Sequence, residues 1–396
     1  MEYLLPYLLD WCNLLLRWLH LIVGIAWIGA SFYFVWLDNS LVPPTDKKMI
    51  DDGVSGELWA VHGGGFYNPQ KYLNAPPKLP SHLHWFYWEA YSAWLTGFLL
   101  FAVAYLLNPS VMLVDKNIFD MSGNVAVIAS LAYLGAGWLV YDAICRIFGV
   151  GDKADKKVAL CLVIYVILAS YLACQIFSGR AAFLMTGAMI ATIMVANVFF
   201  WIIPGQKKVI KSMEMGEAPD PIHGQRGKQR SVHNTFFTLP VLFAMVSNHY
   251  SMLYNSTHHW LILVLMMSGG ALIRFYFVSR HKNKPNYPAL VFGIFLLIIT
   301  IFIAAPAPSP ANTSASTTPA SFSQVKTIIE ERCVVCHNGN IANKNIRLDS
   351  DESIQSHMTL IYQQAVVTKI MPMNNATSIT EDERRLLETW YKANQP

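Results

Sequence analysis

A run of about twenty consecutive apolar residues has few stable places to go, and this chain contains eight such runs. They lie at roughly 11–37, 86–108, 124–148, 157–178, 181–203, 234–253, 259–280 and 286–305. In hydrocarbon a backbone must satisfy its own polar groups, so runs of this length and irregular spacing become helices. Composition agrees, with 54% hydrophobic residues, 14% charged residues and a mean hydropathy of +0.34. The sequence predicts an all-α protein, a polytopic membrane helix bundle of about eight transmembrane helices over residues 1–305.

The character of the chain changes after the last run. "PAPSPANTSASTTPAS", Pro306 to Ser321, has no capacity to pack and reads as a tether over 306–322. Residues 323–396 are polar and contain "ERCVVCHNG". Two thiols at this spacing can add to the two vinyl groups of one haem while the adjacent His337 takes the iron, so Cys333, Cys336 and His337 predict a covalent haem c. A zinc site would need further ligands, and the other cysteines, Cys12, Cys145, Cys161 and Cys174, all lie in apolar segments. Met371 of "KIMPMNNAT" is the expected sixth ligand, because Pro372 presents it from a loop; Met373 is the competitor, ahead of His357 and Met358. A first helix over Ser323–Cys333 and a last helix opened by a Thr380/Glu383 capping box complete a small all-α class I-type cytochrome c domain.

Charge sets the expected orientation. The loops after spans one, three, five and seven carry 17 Lys and Arg, against two, Lys116 and Arg180, after spans two, four and six. By the positive-inside rule the basic loops are cytoplasmic and both termini face outward. That puts the haem motif on the outer, periplasmic side of a bacterial inner membrane, where covalent attachment occurs. "MEYLLPYLLD" lacks the basic start of a cleavable signal peptide.

Ionisable groups at membrane depth are costly unless used or paired. Arg17, His20, Gly24 and Trp27 share one helix face; His20 is a candidate ligand for a b-type haem, with Arg17 toward its propionate. His249 is the expected partner, with His258 and His259 in reserve. On the basic side, His62, His82, His84, Trp85, Trp88 and Glu89 cluster in one connection, and Gln225, Arg226, Arg230 and His233 in another. Arg274 lies inside the seventh span, while Asp142 and Arg146, four apart, suit a structural ion pair.

The segments "WLHLIVGIAWIGASFYFVWLDN", "LHWFYWEAYSAWLTGF", "VANVFFWIIPGQKK" and "RSVHNTFFTLPVLFAMVSNHY", followed by "CVVCH" and "MPMNNAT", resemble the bacterial membrane-bound urate hydroxylases fused to cytochrome c. The likeness covers almost the whole chain. It implies oxidation of urate to 5-hydroxyisourate with water as oxygen source, by a domain over 1–305. Electrons would pass to the c haem and on to a soluble cytochrome c or a terminal oxidase. His20 followed by "WIGASFYF" is also similar to haem-binding membrane protoporphyrinogen oxidases. For a planar monoanion such as urate, Arg274, Arg226, Arg230 or Gln225 suit the charge and Trp85 or Trp88 the ring face. His84 or His233 suits proton removal, and Glu89 lies in the same cluster. The rival classes are a quinol-to-cytochrome c electron-transfer subunit and a transporter with a redox sensor. Two helices each bearing paired histidines, and an inverted repeat, are not evident for them. Nothing points to nucleic acid.

Overall fold

A computed structural model describes residues 4–72, 76–305, 320–339, 342 and 346–394. The apolar runs are helices: α1 Leu4–Ser40, α2 Trp88–Phe101, α3 Gly123–Phe148, α4 Asp152–Ile176 and α5 Gly179–Asn197. There follow α6 Ile203–Glu214, α7 Pro221–Ser247, α8 His259–His281 and α9 Tyr287–Ile303. Two of them change pitch without breaking. A π-helical turn over Ala102–Leu106 extends α2, and another over Val198–Ile202 joins α5 to α6. The starts follow capping chemistry, with Ser122, Ser178 and Asp220 side chains accepting from the backbone N–H of Val125, Ala181 and Ile222.

Among the described residues six stretches are long and apolar enough to cross a membrane: Tyr7–Ser40, Trp88–Leu106, Gly123–Phe148, Asp152–Ile176, Gly179–Glu214 and His259–His281. The protein is therefore a multi-pass membrane protein. The other two expected spans lie on α7, which carries the polar run "HGQRGKQR" near its start, and on α9, which has only 17 residues, so they fall short of that length and composition. Both pack on α8. Gly269 of α8 and Gly293 of α9 bring the two backbones together, since a Cβ built on either glycine would stand 3.1 Å from the other's carbonyl oxygen.

The centre of the bundle is α5. Phe183, Met185, Met189, Ile190 and Ile193 are fully buried, while the other spans keep an exposed apolar face for lipid. Between α1 and α2 the chain makes two small antiparallel hairpins, β1 Val54–Glu57 with β4 Gln70–Tyr72 and β2 Ala60–His62 with β3 Gly65–Tyr67. The inner turn is Gly63-Gly64, both at positive φ, which is what a two-residue hairpin turn requires.

The C-terminal region has its own core of Val325, Ile328, Ile329, Leu348, Ile354 and Leu387, with Trp390. Its first helix, α10 Phe322–Arg332, and last, α11 Glu381–Ala393, pack on each other, and each opens with a full capping box, Ser321/Gln324 and Thr380/Glu383. Arg332 donates to Glu383 Oε1 and to the Thr377 carbonyl, tying the ends together. The Pro/Ala/Ser/Thr tether lies outside the described residues except for Ala320, Ser321 and Phe322.

Candidate functional site

The basic end of the bundle is organised by one carboxylate. Asp142 on α3 accepts from Arg230 Nη2 of α7 at 2.8 Å, from Trp201 Nε1 at 2.7 Å and from Arg146 Nε at 2.6 Å. Arg230 is buried and lies over the rings of Tyr141 and Trp201. The Asp142–Arg146 pair expected from spacing is present, and Arg230 is already committed to the same carboxylate instead of being free for an anion. Next to it Asn197 Nδ2 donates to Tyr141 Oη at 2.8 Å and to Asn234 Oδ1 at 3.0 Å. Tyr141 Oη also bonds His233 Nδ1, 2.8 Å away, which fixes the orientation of that imidazole.

Beside this network a cavity of about 940 Å³ opens between α1, the loop before α2, the α5–α6 junction, α7 and α8. Its wall includes Trp27, Ser31, His84, Trp85, Asn234 and Thr238. Phe34 of α1 packs edge-on against Phe86, and Phe86 against His84, which pins the loop over the opening. Thr235 and Thr238 donate back to carbonyls of their own helix, leaving hydroxyl lone pairs at the wall.

Arg274 lies just behind that wall. It is 4% exposed, its Nε and Nη2 have no hydrogen-bond partner among the described residues, and its guanidinium carbon sits 3.8 Å from the centroid of the Phe32 ring. Its neighbour Phe275, and Ser31 beside Phe32, line the cavity. Glu89, in the first turn of α2, has a buried Oε2 that is also unpartnered. Of the four candidate catalytic residues, His84 lines the cavity and Arg274 backs it. His233 sits in the adjacent network, and no hydrogen bond or ion pair joins any of the four to another among the described residues.

His20 is held against α2. Its Nδ1 is 3.1 Å from Thr96 Oγ1, and a Cβ on Gly97 would stand 2.8 Å from its Cε1, so only a glycine there admits the imidazole, and its Nε2 makes no side-chain hydrogen bond among the described residues. That arrangement fits an axial ligand oriented by a neighbour. Arg17 is exposed one turn away, bonded to Asn13. His249 is exposed beyond the end of α7 and makes no contact with His20. At the end of the bundle opposite the basic loops, Tyr105 Oη and Arg180 Nε are both buried.

In the C-terminal region Cys333 caps α10, and its chain turns so that Cys336 N–H and His337 N–H both return to the Cys333 carbonyl. Burial pushes the Cys333 thiol up to about 11, which keeps it protonated. His337 Nδ1 lies 3.1 Å from the Ile346 carbonyl, an orienting bond that leaves Nε2 for a metal. Among the described residues no three His, Cys, Asp or Glu side chains converge as a metal site. Arg384 donates to the carbonyls of Ala365 and Met371, fixing the base of the Met371 loop.

That loop touches the bundle. Asn374, at φ 50°, donates to Val111 O at 2.5 Å and Met112 O at 3.1 Å, and Asn255 donates to Thr368 O at 3.1 Å. Met112 in turn is bonded to Ser178, the cap of the central helix α5, next to Arg180. Sequence reasoning did not reach Tyr141, Asn197, Asn374 or Tyr105; a buried Asn or Tyr in an apolar run was the available signal. A family model described as Urate oxidase N-terminal matches residues 6–305, about three quarters of the chain, ending where the tether begins. No curated protein and no solved structure matches the chain.

Proposed function

The chain belongs to the urate oxidase N-terminal family, and on that premise we propose that it is a cytochrome c-linked urate oxidoreductase of the bacterial inner membrane. The reaction is urate plus water giving 5-hydroxyisourate, two protons and two electrons. The observation that carries the reading is the junction just described: the loop that bears Met371 rests, through Asn374, on the carbonyls of Val111 and Met112, and the Met112 carbonyl also accepts from Ser178, the cap of the helix at the centre of the urate oxidase domain.

Cys333, Cys336, His337 and Met371 would hold a haem c, and His20, with Arg17 near it, would hold a haem b. When bound, these groups supply one-electron acceptors. The chain's own residues do the rest. The 940 Å³ cavity takes urate, Trp85 offers a ring face, and Arg274 supplies the charge that a monoanion needs. His84 accepts a proton at the cavity mouth, and Glu89 stands by as a second base. The Asp142–Arg230 network keeps Asn234 and His233 in register at the opposite wall. The basic loops lie in the cytoplasm and the C-terminal domain in the periplasm, on the charge count above. A soluble cytochrome c or a terminal oxidase takes the electrons onward.

The test is anaerobic. Urate is added to the oxidised, purified protein in detergent while the visible spectrum and a pyridine haemochrome assay are recorded. Reduction of a c-type haem by urate is the expected result. A haem that stays oxidised with urate and is reduced by a quinol would replace this reading with the electron-transfer subunit.

A further inference from the structure

A second, smaller pocket, of about 340 Å³, lies at the basic end between α3, the π turn Val198–Ile202, α6 and the start of α7. One half of its lining is aromatic, Trp138 and Phe200, whose rings pack at 4.8 Å. The other half is cationic, Arg146, Lys208 and Arg226, with His223 beside them. Trp201 sits between the halves with the guanidinium carbons of Arg146 and Arg226 at 5.0 and 5.7 Å from its ring centroid. The charge is unbalanced. Asp142 serves both Arg146 and Arg230, and no carboxylate pairs with Lys208 or Arg226 among the described residues. The Trp138 Nε1–H is buried and lacks an acceptor. An excess of cations and an orphan donor in one pocket call for a ligand rich in anionic oxygen.

We propose that this pocket binds the phosphodiester headgroup of an anionic phospholipid. The same segments carry Leu139 at 62%, Ile147 at 76% and Phe200 at 53% exposure, apolar surface on membrane-crossing helices that acyl chains cover. A free anion has no use for that surface. Trp138 lies on the hydrocarbon side of Arg146, which is in the last turn of α3, and both side chains line the pocket. The lipid phosphate is held by Lys208 and Arg226, and an ester carbonyl accepts from Trp138.

The experiment measures binding of phosphatidylglycerol, phosphatidylcholine and inorganic phosphate to the full chain in detergent, by indole fluorescence and by native mass spectrometry. Phosphatidylglycerol is expected to bind, phosphatidylcholine to bind at least tenfold more weakly, and inorganic phosphate not to compete. Lys208 and Arg226 are both exposed, so K208A/R226A keeps the fold, and it is expected to weaken phosphatidylglycerol roughly tenfold or more at low salt. W138F, which removes the N–H together with part of the indole ring, is expected to weaken both lipids a few-fold, because both carry the acyl ester carbonyls. Equal binding of the two lipids, or unchanged binding in K208A/R226A, overturns the proposal. Competition by inorganic phosphate would make this a free-anion site, and displacement by urate would make it the substrate site; either also overturns it.

Discussion

Arg274→Met separates a cation kept for a ligand from one kept for the fold. Among the described residues Arg274 has no ion pair and two orphan donors, and its guanidinium lies over the Phe32 ring at 3.8 Å. A guanidinium on a membrane-crossing helix costs about 2.5–3.5 kcal/mol at the helix centre, less toward an end. A desolvated cation–π contact returns about 2 kcal/mol at most. The net is unfavourable by about 1 kcal/mol. Methionine has similar length and no charge, and it adapts to irregular space. The unliganded variant is therefore expected to be about 1 kcal/mol more stable than the wild type. Urate at about 100 times its dissociation constant should stabilise the wild type by about 2.7 kcal/mol and the variant by much less. The assay is reversible unfolding in mixed micelles with and without urate, under argon. A variant less stable than wild type in the absence of urate, or one that urate stabilises equally, would refute the reasoning.

Asp142→Ala leaves Arg230 buried without a counter-charge and should cost about 3–5 kcal/mol, whereas Arg146→Ala, on a side chain 62% exposed, should cost under about 1 kcal/mol; unfolding midpoints compare the two. Asn374→Ala combined with Asn255→Ala removes the polar contacts of the C-terminal domain with the bundle. It should slow urate-driven haem reduction at least tenfold and leave reduction by dithionite unchanged. Glu383 opposes its own partial burial with bonds from the Thr380 N–H and Arg332, and the result lies below the ordinary glutamate range. A depressed carboxylate stabilises the fold above its unfolded value and loses that contribution as pH falls through the folded one. Unfolding of the C-terminal domain should therefore steepen at acid pH, below the usual glutamate range, and Glu383→Gln should flatten that limb.

What could be read from the chain divides along contact distance. The helices were legible because apolar runs and capping residues are local; Thr380 and Glu383 state their capping box three residues apart. The Asp142–Arg146 pair was legible for the same reason. Arg230 was not, because its partner is 88 residues away and nothing in "KQRSVHN" says that one arginine is buried and its neighbour Arg226 exposed. His233 and Tyr141 meet across 92 residues, and Asn374 and Val111 across 263. The expected span at 234–253 covers the apolar second half of α7; that the polar first half continues the same helix and brings Arg230 to Asp142 was not legible. The small hairpin around Gly63-Gly64 went unread although paired glycines at a two-residue turn are a strong local signal.

The glycine contact between α8 and α9 bears on the bilayer itself. Seventeen helical residues span about 25 Å, short of a hydrocarbon layer of about 30 Å. A helix that short, alone, would leave its ends dragging lipid inward from both leaflets. Seated backbone to backbone on α8, it is held at fixed depth by a neighbour of 23 residues that is long enough to cross by itself. The pair, and not the short helix alone, is the unit that meets the bilayer on this side, so G269L or G293L is expected to free α9 while leaving α8 in place.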